Sequence, residues 1–241
     1  YDGIELWIND LYEHIGQGGE ISDVEKALDD HGLIVPCCIA IRQWGDMHGW
    51  EYKLVMDEAK RRFDLGARIG APYIVATPPI EACDISTLPE RYADLLQIGR
   101  ETGIKPTFEY ISFFKSIHQL SQAWDVVQQS GDSDATLILD AFHNWNSGST
   151  LNDLEQIPVD RISHYHIDDA HPDKPAQTQT DPDRVMIGDG VIDLKSEISI
   201  LRNKGYKGAM SLELFNADLW AKDPKDVLKT GLERMRELIE L

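Results

Sequence analysis

The sequence predicts an α/β fold built as a closed or nearly closed parallel barrel. Three observations carry that prediction. Apolar strand-like runs alternate with amphipathic helical segments along the 241 residues, which is the pattern of a parallel sheet wrapped by helices. Several of those runs are apolar on both faces, as strands covered on both sides must be. Four strands in succession, at residues 106–111, 136–143, 162–168 and 209–215, carry Glu109, Asp140, His166 and Glu213 at their C-terminal ends. A doubly wound open sheet is the alternative, but four adjacent strand ends there would spread over roughly 15 Å at ~4.8 Å per strand. In a barrel they converge, and that end is where chemistry is done.

Taken in order, residues 2–8 read as a strand. Ser22 then caps a helix, with Glu25 as the reciprocal member of a capping box and Gly32 as its stop. Residues 33–41 form a continuous apolar run, the next strand. A long helix over 50–68 turns Leu54, Val55, Ala59 and Phe63 inward. Residues 73–77 are a buried strand stopped by Pro78 and Pro79. Pro89 suits the first turn of the helix carrying Tyr92, Leu95 and Leu96, and Gly103 ends it.

The strand with Glu109 follows, then a helix marked by Leu120, Ala123, Trp124 and Val127, the strand with Asp140, a short helix at 151–156 and the strand with His166. Residues 170–189 are one long polar loop. Asp193 caps a helix over 194–204, and the strand with Glu213 precedes a last helix with Val227, Leu228, Met235, Leu238 and Ile239 inward. No linker or shift of composition interrupts the chain, so residues 1–241 read as a single domain. Seven strands are visible where a TIM (β/α)8 barrel has eight. The abrupt start predicts that the first βα unit is missing. The strands at 3–8 and 209–215 should then be two unpaired edges, which favours homo-oligomers.

Net charge is −19 and the apolar fraction 42%. Nucleic acid and anionic membrane surfaces are poor partners for such a chain, because phosphate recognition needs clustered Lys and Arg. A small uncharged substrate is compatible. No run of about 20 apolar residues offers a membrane span. Cys37, Cys38 and Cys83 are odd in number and lack zinc spacing, so they read as reduced core cysteines of a cytoplasmic protein.

Glu109, Asp140 and His166 follow one another at intervals of one βα unit. Glu213 comes one unit plus the long loop later, so all four fall at one level of the barrel mouth. Three carboxylates and an imidazole suit one divalent ion, Mn2+ or Zn2+ first and Co2+ or Mg2+ next. Each residue alone could instead be satisfied by a hydrogen bond, but too few cations lie nearby to neutralise three buried carboxylates. His143 stands at the strand's mouth, facing substrate or the rim. His164 lies one layer deeper, where core packing accounts for it. Asp168 and Asp169 could orient His166 from behind, or be solvated loop acids. Arg184 is the cation over the mouth, in the long loop.

The strings YHIDD at 165–169, DRV at 183–185 and GDGVID at 188–193 resemble the xylose-isomerase-like TIM-barrel superfamily of sugar isomerases and epimerases. LDAFH at 139–143 with Gly148 and Ser149, YIVA at 73–76 and SLELF at 211–215 are similar to the inosose (2-keto-myo-inositol) isomerases of inositol catabolism. The resemblance runs through nearly the whole chain. It implies a metal held by Glu109, Asp140, His166 and Glu213, and substrate contacts from His143 and Arg184. It also implies that the strand near residues 2–8 is the second of its barrel. The DNA-repair endonucleases of the superfamily add histidine ligands that are absent here.

The expected chemistry is proton transfer beside a carbonyl of a keto-polyol or ketose through an enediolate, with Glu109 and Glu213 moving the proton. A keto-polyol dehydratase of the inosose or 3-dehydroshikimate kind, or a ketose 3-epimerase, could use the same set. An inactive sugar-binding barrel is the alternative outside enzymology.

Overall fold

The structure is a computed structural model that describes residues 1–240. They divide into two compact units. One is Tyr1–Glu109 with Phe114–Ile117 and Ala123–Leu137; the other is Tyr110–Phe113 with His118–Gln122 and the chain from Ile138 onward. The first holds β1 (Leu6–Trp7), α1 (Ile8–Gly16), α2 (Ile21–His31), β2 (Cys38–Ile41), α3 (Gly49–Arg68), β3 (Tyr73–Ala76), α4 (Leu88–Thr102) and β4 (Lys105–Phe108), with most of α5 (Leu120–Gln129). β5 (Thr136–Asp140) begins in the first unit and ends in the second. The second holds α6 (Ala141–Ser147), α7 (Leu151–Gln156), β6 (Ile162–Ile167), β7 (Asp169–Ala170), β8 (Arg184–Val185), α8 (Leu194–Asn203), β9 (Ala209–Leu212), α9 (Ala217–Trp220) and α10 (Pro224–Glu240).

Among the described residues the main sheet has seven strands in the order β1-β2-β3-β4-β5-β6-β9. β1 to β5 pair successively in parallel, and β6 pairs in parallel with β9. The strand order expected of a βα barrel is therefore present, with β1 and β9 as the sheet's edges. β7 and β8 form a separate antiparallel ribbon. No helix among the described residues is long and apolar enough to cross a membrane.

Several local expectations need correction. Only Leu6 and Trp7 of the 2–8 stretch are strand, joined by an isolated bridge from Gly3 to Ile34. Ile8 instead opens α1, with Ile8 and Leu11 buried; a short apolar run does not distinguish strand from helix by periodicity. Helix α2 starts one residue before Ser22, with Glu20 at its N-cap and the Asp23 carboxylate accepting the Glu20 N–H at 3.1 Å. Leu54, Leu228 and Ile239 lie on exposed faces. The turn after β5, read as strand to residue 143, is helix α6, because the Asp140 side chain caps it. The 170–189 loop is ordered around the β7–β8 ribbon.

Within the first unit, Trp44, Tyr92 and Phe108 form an aromatic cluster with ring centroids 5.5–6.1 Å apart. Phe108 points to the helix side of β4, which turns Thr107 and Glu109 to the other face. The buried Tyr92 hydroxyl, on α4, lies 2.9 Å from the Pro106 carbonyl and 2.7 Å from that of Thr136. The Thr136 N–H donates back to it at 3.3 Å. One hydroxyl thus ties β4 to β5, the two strands that carry Glu109 and Asp140. In the second unit all six residues of β6 are buried, and α8 buries a stripe made by Leu194, Ile198 and Leu201.

Tyr92→Phe should lower unfolding free energy by about 1–3 kcal/mol in urea melts, since it strands two buried carbonyls and an N–H. An unchanged midpoint and slope would show that water or a strand shift replaces the bridge.

Candidate metal and active site

Asp140 closes β5, His166 lies near the end of β6 and Glu213 directly follows β9. Parallel pairing of β6 with β9 sets His166 opposite Ser211, so a carboxylate two residues further on the same face can reach the imidazole. The His166 Nδ1 lies 3.2 Å from Glu213 Oε2 and 3.7 Å from Asp140 Oδ2. One ligand atom from each of the three residues lies within 4.8 Å of the others. Asp140 and His166 are each 1% exposed.

Arg184 is the fourth member. Although it lies in the long polar loop, it is 1% exposed. Its Nη1 donates to Asp140 Oδ2 at 2.8 Å, sits 3.4 Å from Glu213 Oε2, and also contacts Asp168 Oδ2. Nε and Nη2 donate to Asp181 Oδ1 at 3.1 and 3.0 Å. The guanidinium carbon lies 5.0 Å from the Phe142 ring centroid and 5.7 Å from that of Phe215.

His143 completes the group from the first turn of α6. Its N–H donates to Asp140 Oδ1 at 2.7 Å, so Asp140 presents one oxygen to the helix cap and the other to Arg184 and His166. Arg184 Nη2 lies 3.1 Å from His143 Nε2 and can only donate. With Nε2 facing the Arg184 donor, Nδ1 faces Ser112, whose Oγ lies 3.1 Å away and whose backbone N lies 3.4 Å away. Burial, with Arg184 assisting against the pull of Asp140, holds the His143 pKa below the ordinary histidine value.

The carboxyls divide by environment. Burial would push Asp140 up, but Arg184, His143 and His166 together hold it well below the usual range. Glu213 is lowered as well, with His166 and Arg184 outweighing burial. Asp168 goes the other way, pushed well up by burial and by the charges of Asp140 and Glu213. Asp140 and Glu213, both held toward their ionised forms, outweigh the single charge of Arg184 and leave the cluster with an excess of negative charge. Two carboxylate oxygens, an imidazole nitrogen and that uncompensated charge fit one divalent cation.

Glu109 belongs to the first unit. It is buried just past β4, accepts a hydrogen bond from Thr77 Oγ1 at 3.4 Å, and its N–H donates to the Ala76 carbonyl at 3.2 Å. His164 is buried one layer behind His166, with ring centroids 5.0 Å apart and Ser163 Oγ 3.1 Å from its Nδ1.

Asp169 does not support His166. Both its oxygens are taken by loop backbone: Oδ1 accepts N–H groups of Ala170 and Ile192 at 2.9 Å each, and Oδ2 those of Gly188 at 3.0 Å and Gly190 at 3.1 Å. A Cβ at residue 190 would come within 2.3 Å of Asp169 Oδ1 and of the Ala170 carbonyl, so only glycine permits this clamp. The strand alternation that put His166 inward could not reveal it.

Asp181, Asn144 and Glu197 were missed by sequence reasoning. The one readable signal was Glu197, an acid on the apolar stripe of α8.

Residues 1–238 match the xylose isomerase-like TIM barrel family. An inosose isomerase from Halalkalibacterium halodurans is 31% identical over 199 residues, covering 78% of this chain and 69% of that protein. A 3-dehydroshikimate dehydratase from Pseudomonas aeruginosa is 24% identical across this whole chain, which spans 38% of that protein. Among solved structures, the IOLI protein crystallised with a bound zinc atom superposes with a TM-score of 0.92 at 24% identity, covering 99% of this chain and 88% of that one.

Asp169→Ala should free four N–H donors and loosen the 170–192 segment. Hydrogen exchange at the amides of Gly188, Gly190 and Ile192 should accelerate about tenfold or more, following the loss of a charge-assisted acceptor. Exchange at wild-type rates would mean that the ribbon alone holds the loop.

Proposed function

Because the chain belongs to the xylose isomerase-like TIM barrel family, we propose that it is a divalent-metal-dependent isomerase acting on a keto-polyol, with inosose as the leading substrate. One observation carries this reading. Asp140, His166 and Glu213 bring two carboxylate oxygens and an imidazole nitrogen within 4.8 Å of one another, in a buried pocket with more acids than cations. The inosose isomerase relatives support the substrate class, and the zinc in the IOLI protein supports the cofactor class.

Asp140, His166 and Glu213 would hold the ion, with Glu109 as the fourth ligand on the strength of its place at the end of β4. Such an ion supplies Lewis acidity, polarising a ketone oxygen and the neighbouring hydroxyl. Glu213, kept ionised by His166 and Arg184, is the base that takes the proton from the carbon bearing that hydroxyl. Glu109, carrying a proton, is assigned to give it to the former carbonyl carbon while the hydroxyl proton passes to the former carbonyl oxygen, which shifts the carbonyl by one position. Arg184 and His143 are the substrate-binding residues. Their mutual hydrogen bond holds the His143 ring in place beside the cluster.

A second reading rests on the dehydratase relative. The same proton abstraction followed by loss of hydroxide would eliminate water from a keto-polyol. Return of the proton to the same carbon from its opposite face would instead be epimerisation.

The test is NMR detection of deuterium incorporation from D2O into a panel of inososes and ketoses with Mn2+ added. Exchange at the carbon beside the ketone with formation of an isomeric inosose is expected. Exchange with an unsaturated product selects the dehydratase, and binding without exchange leaves a sugar-binding barrel.

Glu213→Gln should abolish exchange, by about 10³-fold or more for loss of a base and ligand together, while circular dichroism melts stay close to wild type. Near-wild-type turnover in that variant removes Glu213 from both roles.

A further inference from the structure

Glu197 lies in the first turn of α8, 6% exposed and outside the Asp140–His166–Glu213 cluster. Its Oε2 accepts two hydrogen bonds, from Asn144 Nδ2 and from the Tyr165 hydroxyl, each at 2.9 Å. The other end of the Asn144 amide accepts a hydrogen bond from the Tyr110 hydroxyl. The Tyr110 oxygen in turn lies 3.5 Å from the Asp140 backbone N–H. Asn144 sits in α6 directly after His143, and Asp140 is the cap of that helix. A continuous polar chain thus runs from Glu197 to the main chain at the candidate ligand Asp140.

The chain also has a route to solvent. A cavity of about 140 Å3 is lined by Glu197, Asn144, Trp145, Thr150, Leu154 and Asp193, among others. Protons can therefore reach Glu197 without passing through the metal site. The charged groups facing it are Asp193, the cap of its own helix, and Asp140 at the end of β5. Tyr165, from β6, is neutral, its phenol pushed far up by burial and by Glu197 itself. α6 and α7 contribute no charged side chain to the cavity wall among the described residues. Burial, with Asp140 and Asp193 adding to it, pushes the Glu197 carboxyl up to about 7 against the opposing pull of Asn144 and Tyr165.

We propose that Glu197 is a positioning residue of the site, acting through Asn144 and Tyr110 to hold Asp140 and the first turn of α6, where His143 stands. The proposal rests on the reading of Asp140 as a metal ligand. Ionisation of Glu197 strengthens its grip on the Asn144 amide and adds a negative charge behind Asp140. Both changes favour a cation in the cluster.

The test separates acceptor from charge. Glu197→Gln keeps an acceptor for Asn144 and Tyr165 without the charge; Glu197→Leu removes both. Tyr165→Phe deletes a donor that favours the ionised form. Amide resonances of Asp140, His143 and Asn144 are followed by NMR through pH titration without metal, and Mn2+ affinity is then measured by calorimetry. In wild type the three amides should shift together with a midpoint near 7. Glu197→Gln should lose that transition, and Tyr165→Phe should move it up by about half a pH unit or more. Glu197→Leu should weaken Mn2+ binding about tenfold.

A transition that persists in folded Glu197→Gln overturns the proposal, as does wild-type Mn2+ affinity in folded Glu197→Leu. Absence of Mn2+ binding in wild type would sink the metal reading instead, while the metal-free amide titrations still decide for or against Glu197 as the group that holds α6.

Discussion

The second unit is organised around a surplus of buried negative charge. Asp140, Asp168 and Glu213 all reach the Nη1 of Arg184, and Asp181 holds the guanidinium from its other side. Removing carboxylates from water is expensive, and mutual repulsion raises the cost further. One arginine cannot offset them all. Asp168 accordingly moves toward its protonated form, while Asp140 and Glu213, with histidine neighbours, stay ionised. A site divided in this way keeps a net negative charge buried beside one imidazole.

Arg184 explains the surroundings as well. A fully buried guanidinium has to be delivered by ordered backbone, and here that backbone belongs to a polar loop. The loop is ordered by Asp169, whose carboxylate gathers four N–H groups from both ends of the segment, and by the short β7–β8 ribbon. Gln179 adds a second tie inside the loop, donating to the His171 and Lys174 carbonyls and accepting the His171 N–H. Asn216 closes the far side, its amide donating to the Arg184 carbonyl at 2.9 Å. Rigidity of the loop and burial of the arginine are one structural fact seen from two ends.

Asp140 shows how one residue links fold and chemistry. As the last residue of β5 and the cap of α6, it divides its oxygens between a backbone N–H and the charged cluster. The same capping bond fixes where His143 stands. Within the first unit the Tyr92 hydroxyl bonds the first residue of β5; within the second, Asn144 of α6 bonds Glu197.

Strand alternation and the placement of acids at strand ends were enough to single out Asp140, His166 and Glu213, which the structure brings within 4.8 Å of one another, because both signals are local and periodic; Glu109 joins them as a proposal. They also carried the parallel α/β architecture and the edge positions of β1 and β9. What alternation could not supply was any contact made across sequence. Asp169 was assigned to His166 because the two are neighbours in the chain, yet its charge is consumed by N–H groups about twenty residues away. Helix α6 was hidden because an aspartate can end a strand and cap a helix with the same side chain. Leu54 and Leu228 were placed inward by period, although which stripe of a helix is covered depends on what packs against it. Residue types and spacing determined which groups are available for chemistry. The tertiary structure decided which of them meet, and it did so through burial, which makes every unpaired charge seek a partner.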